Sequence, residues 1–170
     1  MRTVPLTLRM FITRIEEHGE YKERLLSLID KMPQSSYESI AKTDWGLSKD
    51  ATREYLNVFY QEILNGKNKY MEKQGKYLES NTWDISNGWF QQYTDNSHHD
   101  WHTHGGANFA NVYFLELPDR ECRTEIKDVE YDAGEGYLIT FPAMMQHRSR
   151  GFSDGRKTII SFNSNFNIIP

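Results

Sequence analysis

A change of period near Lys76 constrains this chain more than any other feature of its sequence. Before it, apolar residues recur at helical spacing. After it, short segments rich in aromatic and β-branched residues are separated by Gly, Pro, Asp and Asn clusters about every ten residues. From about Glu20 to Met32, Leu25, Leu26, Leu28 and Ile29 lie between charges, and Pro33 stops the run, so the spacing predicts a helix there. A second helix is expected to open at Ser48, a good N-cap, and to carry Tyr55, Leu56, Val58, Phe59, Ile63 and Leu64 on one broad stripe. It should end between Asn65 and Gln74, at or in the lysine-rich stretch 67–76 that follows the stripe. Strands are expected at Trp83–Tyr93, Phe109–Leu117, Arg123–Val129, Gly136–Phe141 and Lys157–Phe166, with Asn165–Pro170 as a tail. Helices followed by evenly spaced strands, without βα alternation, indicate a mainly β fold, a sandwich or barrel with N-terminal helices.

With 170 residues the chain fits one domain of the usual size of about 100–200 residues, helical over 1–76 and β over 77–170. Its content of 38% hydrophobic and 14% aromatic residues is enough for a core that needs no disulfide. The single cysteine, Cys122, cannot form an intramolecular disulfide. Nothing reads as a cleavable signal or a long apolar span, so no membrane partner and a cytoplasmic location are expected, the host cytoplasm if the source is viral. A net charge of -4 gives no overall reason to bind nucleic acid. Oligomeric state is not encoded in any pattern here.

Four of the six histidines, His98, His99, His102 and His104, fall within the seven residues HHDWHTH. On an extended strand alternate side chains share a face, so His98, Asp100, His102 and His104 would point one way and His99, Trp101 and Thr103 the other. Imidazole and carboxylate on such a face suit Zn, Fe, Ni or Mn, with a further ligand from elsewhere. His147, 43 residues beyond His104 and just past YLITFP, is the other histidine of the β half. His98 and Asp100 offer a competing His-x-Asp register, and His99 and His18 read as structural or surface residues.

Arg148, Arg150, Arg156 and Lys157 form a basic cluster against the single acid Asp154, a place where an anion could sit. In KTIISFN, Lys157, Ile159, Ser161 and Asn163 share one strand face, so only one of Arg156 and Lys157 can point inward.

The segments SNGWFQQY, DWHTH, NFANVYFLELP, GEGYLITFPAMMQHRS and RKTIISFN, in this order over about residues 86–164, resemble the iron(II)- and 2-oxoglutarate-dependent oxygenase superfamily. The likeness is to the small prolyl-hydroxylase-like members common in phage and cyanobacterial genomes. The resemblance implies a double-stranded β-helix, a cupin-like jelly roll, with helices packed on its outer face. It implies iron(II) held by His102, His104 and His147, with 2-oxoglutarate as cosubstrate, dioxygen, and ascorbate as a reductant. His104 stands where most members carry Asp or Glu. The distal carboxylate of 2-oxoglutarate would fall to Lys157, with Arg156 as the alternative. Ser161 and Asn163 could line the same pocket, and Tyr93 and Tyr113 either donate a hydroxyl to the cosubstrate or pack in the core.

By the same resemblance the activity is hydroxylation of a C–H bond. A peptidyl residue such as proline is the first expectation, so the substrate could be a protein. Trp89, Trp101, Met144 and Met145 are candidates for the substrate pocket. Two rival readings share the fold: a cupin-like metalloprotein without 2-oxoglutarate, and a structural protein that has lost turnover.

Overall fold

The computed structural model describes residues 9–35, 40–67, 70, 73–74 and 82–167. A short strand β1 (Phe11–Arg14) leads into helix α1 (His18–Asp30), whose Tyr21, Leu25, Leu26 and Ile29 form one buried stripe. Strand β2 (Lys42–Thr43) follows, then helix α2 (Glu54–Val58), which continues in π-helical turns from Phe59 to Lys67. Beyond lie β3 (Thr82–Tyr93), β4 (His99–His102), β5 (Phe109–Glu116), β6 (Glu125–Ile126), β7 (Tyr137–Pro142), β8 (His147–Ser149) and β9 (Lys157–Asn167).

All strand pairs are antiparallel, in a six-stranded sheet ordered β1-β7-β5-β9-β3-β2 and a three-stranded sheet ordered β4-β8-β6. Two cores fill the layers. Alternation along β5 sends Tyr113 and Leu115 toward Leu25, Phe59 and Ile63 of the helices, and Ala110, Val112 and Phe114 toward Ile126 of the small sheet. Each buried Val, Leu, Ile or Phe among them contributes roughly 1.5–3 kcal/mol of transfer free energy. Helices on one face of the large sheet and a small sheet on the other make the double-stranded β-helix expected from the sequence. No helix among the described residues is long and apolar enough to cross a membrane.

Several boundaries differ from expectation. The second helix starts at Glu54, not Ser48, because the Arg53 guanidinium binds the carbonyls of Asp44, Leu47, Ser48 and Ala51 and holds that stretch as a loop. The Ser48 hydroxyl accepts from the Asp50 amide within this loop. The strand expected at Arg123–Val129 is only Glu125–Ile126, and strand pairing runs past Asn165 to Asn167. Most of the lysine-rich stretch 67–76, and with it the end of the second helix, lies outside the described residues.

One irregularity decides which way β3 faces. Its pairing with β9 slips between Ile85 and Asn87, so Ser86 is an extra residue and the alternation changes phase there. Trp83 and Ile85 pack on the helical core, and past the bulge Phe90 takes over that face. Trp89, Gln91 and Tyr93 therefore turn toward the small sheet.

Candidate metal centre

His102 on β4 and His147 on β8 are directly paired across the small sheet, so their rings share its inner face. His104 lies just past the strand end, where its amide donates to the Ala143 carbonyl at 2.9 Å. The three rings converge, with centroids of His102 and His147 4.1 Å apart and of His104 and His147 4.9 Å apart. One ligand atom from each of the three lies within 4.8 Å of the others.

Each ring is oriented by its Nδ1–H. His102 donates to the Asp100 carbonyl at 2.7 Å, His147 to the Met145 carbonyl at 3.0 Å, and His104 to Asn163 Oδ1 at 2.6 Å. An imidazole whose Nδ1 carries the proton presents an unprotonated Nε2, the form that binds a metal. Burial and the neighbouring imidazoles push His147 down to about 3, and burial lowers His102 and His104 as well, so all three are neutral near pH 7. A set of neutral, pre-oriented imidazoles fits Zn, Fe, Ni or Cu.

His99, expected to be structural or surface, stands beside the cluster. Its ring stacks on His102 at 3.9 Å and its Nδ1 meets the Gln91 side-chain amide at 3.2 Å. Burial and the neighbouring imidazoles push it down to about 4. The competing His98-x-Asp100 register is not formed. The Asp100 side chain is 92% exposed and faces His98 on the surface, so it lies outside the cluster.

A small cavity behind the histidines is lined by Gln91, Tyr93, Val112, Thr124, Ser149 and Ser161 among others. Lys157 lies behind two of these residues, Ser149 and Tyr93. It is fully buried, donates from Nζ to Ser149 Oγ at 2.8 Å, and lies 5.2 Å from the Tyr93 ring centre. Burial pushes its pKa down to about 7. Ser161 donates to Gln91 Oε1 at 3.5 Å, and the Thr124 hydroxyl is buried with no partner among the described residues.

Other expected residues stand elsewhere. Arg156 points away from the cavity, its guanidinium bound to Glu116 at 2.7 Å and to Asp30 at 3.2 Å. Arg148 and Arg150 share the single carboxylate of Glu125, which ties both to the protein at the place where an anion was expected. Tyr113 faces the helices because it is out of phase with Val112 on β5; its hydroxyl meets His18 Nδ1 at 2.7 Å. Asn163 serves His104 through its carbonyl oxygen. Of the four substrate-pocket candidates, Trp89 lines the space before the histidines. Trp101 lies under the Arg148 guanidinium, Met144 is largely in solvent, and Met145 packs on the inner core.

Thr124 and Gln91 went unnoticed in the sequence, where nothing separates them from ordinary strand residues. His99 had a signal, its place in HHDWHTH, but strict alternation assigned it to the wrong face. The pairing of β4 with β8 slips between His99 and His102, which turns His99 back toward the cluster.

No family model and no curated protein matches this chain. Solved structures do. A 2OG-Fe(II) oxygenase family oxidoreductase from Burkholderia pseudomallei superposes with a TM-score of 0.69 at 12% identity, covering 92% of this chain and 84% of that one. HygX from Streptomyces hygroscopicus, with nickel, 2-oxoglutarate and hygromycin B bound, gives 0.65 at 9% identity, covering 96% and 85%. A Pseudomonas putida prolyl-4-hydroxylase gives 0.60 at 13% identity, covering 95% of each chain. At these identities the likeness is one of fold.

Proposed function

We propose that this protein is a non-haem iron(II)- and 2-oxoglutarate-dependent dioxygenase that hydroxylates a C–H bond of its substrate. The observation that carries the reading is the combination of three converging imidazoles, each with Nδ1 engaged, and a buried lysine bonded to Ser149, a residue that lines the same small cavity as the histidines. His102, His104 and His147 would hold the metal. Iron(II) bound there would activate dioxygen, the oxidant, so that one oxygen atom enters the C–OH group and the other enters succinate as the 2-oxo acid loses CO2.

The chain's own residues do the rest. Lys157 pairs with the distal carboxylate of 2-oxoglutarate, which offsets the cost of its buried charge. Ser149 already accepts from Lys157, and Thr124, with its hydroxyl unpartnered, gains an acceptor when a carboxylate arrives. Tyr93, Val112 and Ser161 wall the cavity and exclude water from it. Asn163 holds the His104 ring in the orientation and tautomer that ligation needs. With no carboxylate in the ligand set, the centre carries one more positive charge than a two-histidine, one-carboxylate site.

The fold neighbours include a prolyl hydroxylase from Trichoplax adhaerens in complex with a peptide fragment and HygX with hygromycin B bound, so both peptides and small molecules are compatible with the architecture. The substrate reading favoured here is a peptidyl residue. The test is succinate formation from 2-oxoglutarate with iron(II), ascorbate and oxygen and no added substrate. The native chain should turn over slowly and His147→Ala should lose at least about 100-fold. The all-imidazole donor set also suits a cupin-like metalloprotein that does not use 2-oxoglutarate, and stoichiometric metal without succinate in either protein would select that reading.

A further inference from the structure

The loop after β2 is held by a dense set of hydrogen bonds, and what it holds in place is an exposed tryptophan. Asp44 is fully buried and saturated, accepting from Arg53 Nε at 2.7 Å, the Tyr55 hydroxyl at 2.8 Å and the Phe90 amide at 3.0 Å. The Arg53 guanidinium binds four carbonyls of the same loop. The Trp45 amide donates to Thr43 Oγ1, which in turn donates to the Phe90 carbonyl at 2.7 Å. A buried ionic clamp of this kind is costly to assemble, yet Trp45 remains 49% exposed.

Its indole meets Trp89 edge-to-face at 4.3 Å, and Trp89 lies 5.5 Å from the His104 ring. Two hollows flank this pair and share Trp45, Asn87 and Trp89 as walls. One, of about 350 Å³, faces His99, His102 and His104; the other, of about 820 Å³, runs out over the clamped loop past Asn57 and Ser86. A molecule that presents a C–H bond to the histidines and also fills the outer hollow must be elongated.

Charge narrows its chemistry. The one carboxylate on the outer wall, Asp44, is saturated, so nothing there receives a polycation such as an aminoglycoside. Of the two cations on that wall, Arg53 is bound to Asp44, and Lys49 is exposed with no ionic partner among the described residues. One cation is too few for a nucleic-acid track. The amide and hydroxyl groups of Asn57, Ser86 and Asn87 suit a peptide main chain, and two indoles suit an apolar ring carried on it.

We propose that Trp45 and Trp89 are the substrate-recognition residues of this protein, gripping an apolar residue of an extended, neutral to acidic peptide whose flanking chain lies along the outer hollow toward Lys49. This rests on the oxygenase reading for the place of reaction but not for the place of binding. Asp44 and Arg53 are then positioning residues, acting through Trp45.

The probes are a neutral decapeptide of alternating alanine and proline, its singly Glu- and singly Lys-substituted forms, hygromycin B and a ten-nucleotide oligothymidylate. Binding is read by tryptophan fluorescence on the whole chain without iron or 2-oxoglutarate, so the result does not depend on turnover. The native chain should bind the peptides and prefer the Glu form. Trp45→Ala should weaken peptide affinity at least about 10-fold, Trp45→Phe should restore most of it, and the exposed Lys49→Glu should invert the preference to the Lys form. Unchanged affinity in Trp45→Ala, an uninverted preference in Lys49→Glu, tighter binding of hygromycin B or the oligothymidylate, or binding of no peptide overturns the proposal. A chain that binds peptides in this manner but forms no succinate would remove the oxygenase reading and keep the recognition surface.

Discussion

Lys157 sets stability against use at a single side chain. An ammonium with no solvent contact and one hydroxyl partner costs folding free energy, as its depression to about 7 from the ordinary 10.5 records. The sign of the pH dependence follows. Between about pH 7 and 10.5 the unfolded chain binds a proton that the folded chain does not, so this group's contribution to stability rises with pH through that window and its full penalty is present below pH 7. Lys157→Met should therefore be more stable than the native chain by about 2–4 kcal/mol at pH 6. The gain should shrink as the pH approaches 10. Chemical denaturation of both proteins at the two pH values checks this, and a gain independent of pH would contradict it. At this scale the sequence was informative about identity and weak about direction. Strand alternation in KTIISFN placed Lys157 with Ile159, Ser161 and Asn163, but only the Glu116 and Asp30 partners of Arg156 explain why Arg156 points outward. The sequence leaves Tyr113 open between cosubstrate and core for the same reason, since nothing in NVYF says which of Val112 and Tyr113 faces the cavity; the structure packs it against the helices.

Among the elements, β3 shows how one inserted residue aims a site. The extra Ser86 lets Trp83, Ile85 and Phe90 all serve the helical core while Trp89, Gln91 and Tyr93 face the histidines. Just past the bulge, Gly88 lets the strand lie against the second helix: a Cβ there would fall on the Tyr60 hydroxyl and within 3.3 Å of Leu56. Gly88→Ala should cost about 2 kcal/mol, and Tyr60→Phe, which removes the obstructing oxygen, should recover part of that loss in the double variant. Thermal unfolding of the four proteins measures the coupling, and strict additivity would show that the contact does not matter. Long, strongly patterned elements such as α1, β3, β5, β7 and β9 were legible because a continuous apolar face leaves one choice of period. The short ones were not. β1, β2, β4 and β8 have two to four residues each, and their partners, distant in sequence, decide them more than their own composition does.

Taken whole, the molecule divides its labour by layer. The helices shield the outer face of the large sheet, the inner faces of the two sheets enclose the histidines and Lys157, and the clamped loop after β2 borders the opening. The His-x-His spacing and the distant histidine were readable because side chains that meet across paired strands leave a trace in sequence, whereas the depth of Lys157, the unpartnered Thr124 and the place of Trp45 exist only once the sheets close. In the proposed site the three histidines and Lys157 act together, with metal at one end and the distal carboxylate of 2-oxoglutarate at the other. Anaerobic titration of the iron(II)-loaded protein with 2-oxoglutarate, followed by visible absorption, separates this arrangement from its rivals. The native chain should develop a weak visible band that saturates at one equivalent, and Lys157→Met should bind iron equally while its affinity for 2-oxoglutarate falls about 100-fold, the worth of a charge-assisted contact. Iron bound with no band in the native chain, or equal affinity for 2-oxoglutarate in the two proteins, would contradict it.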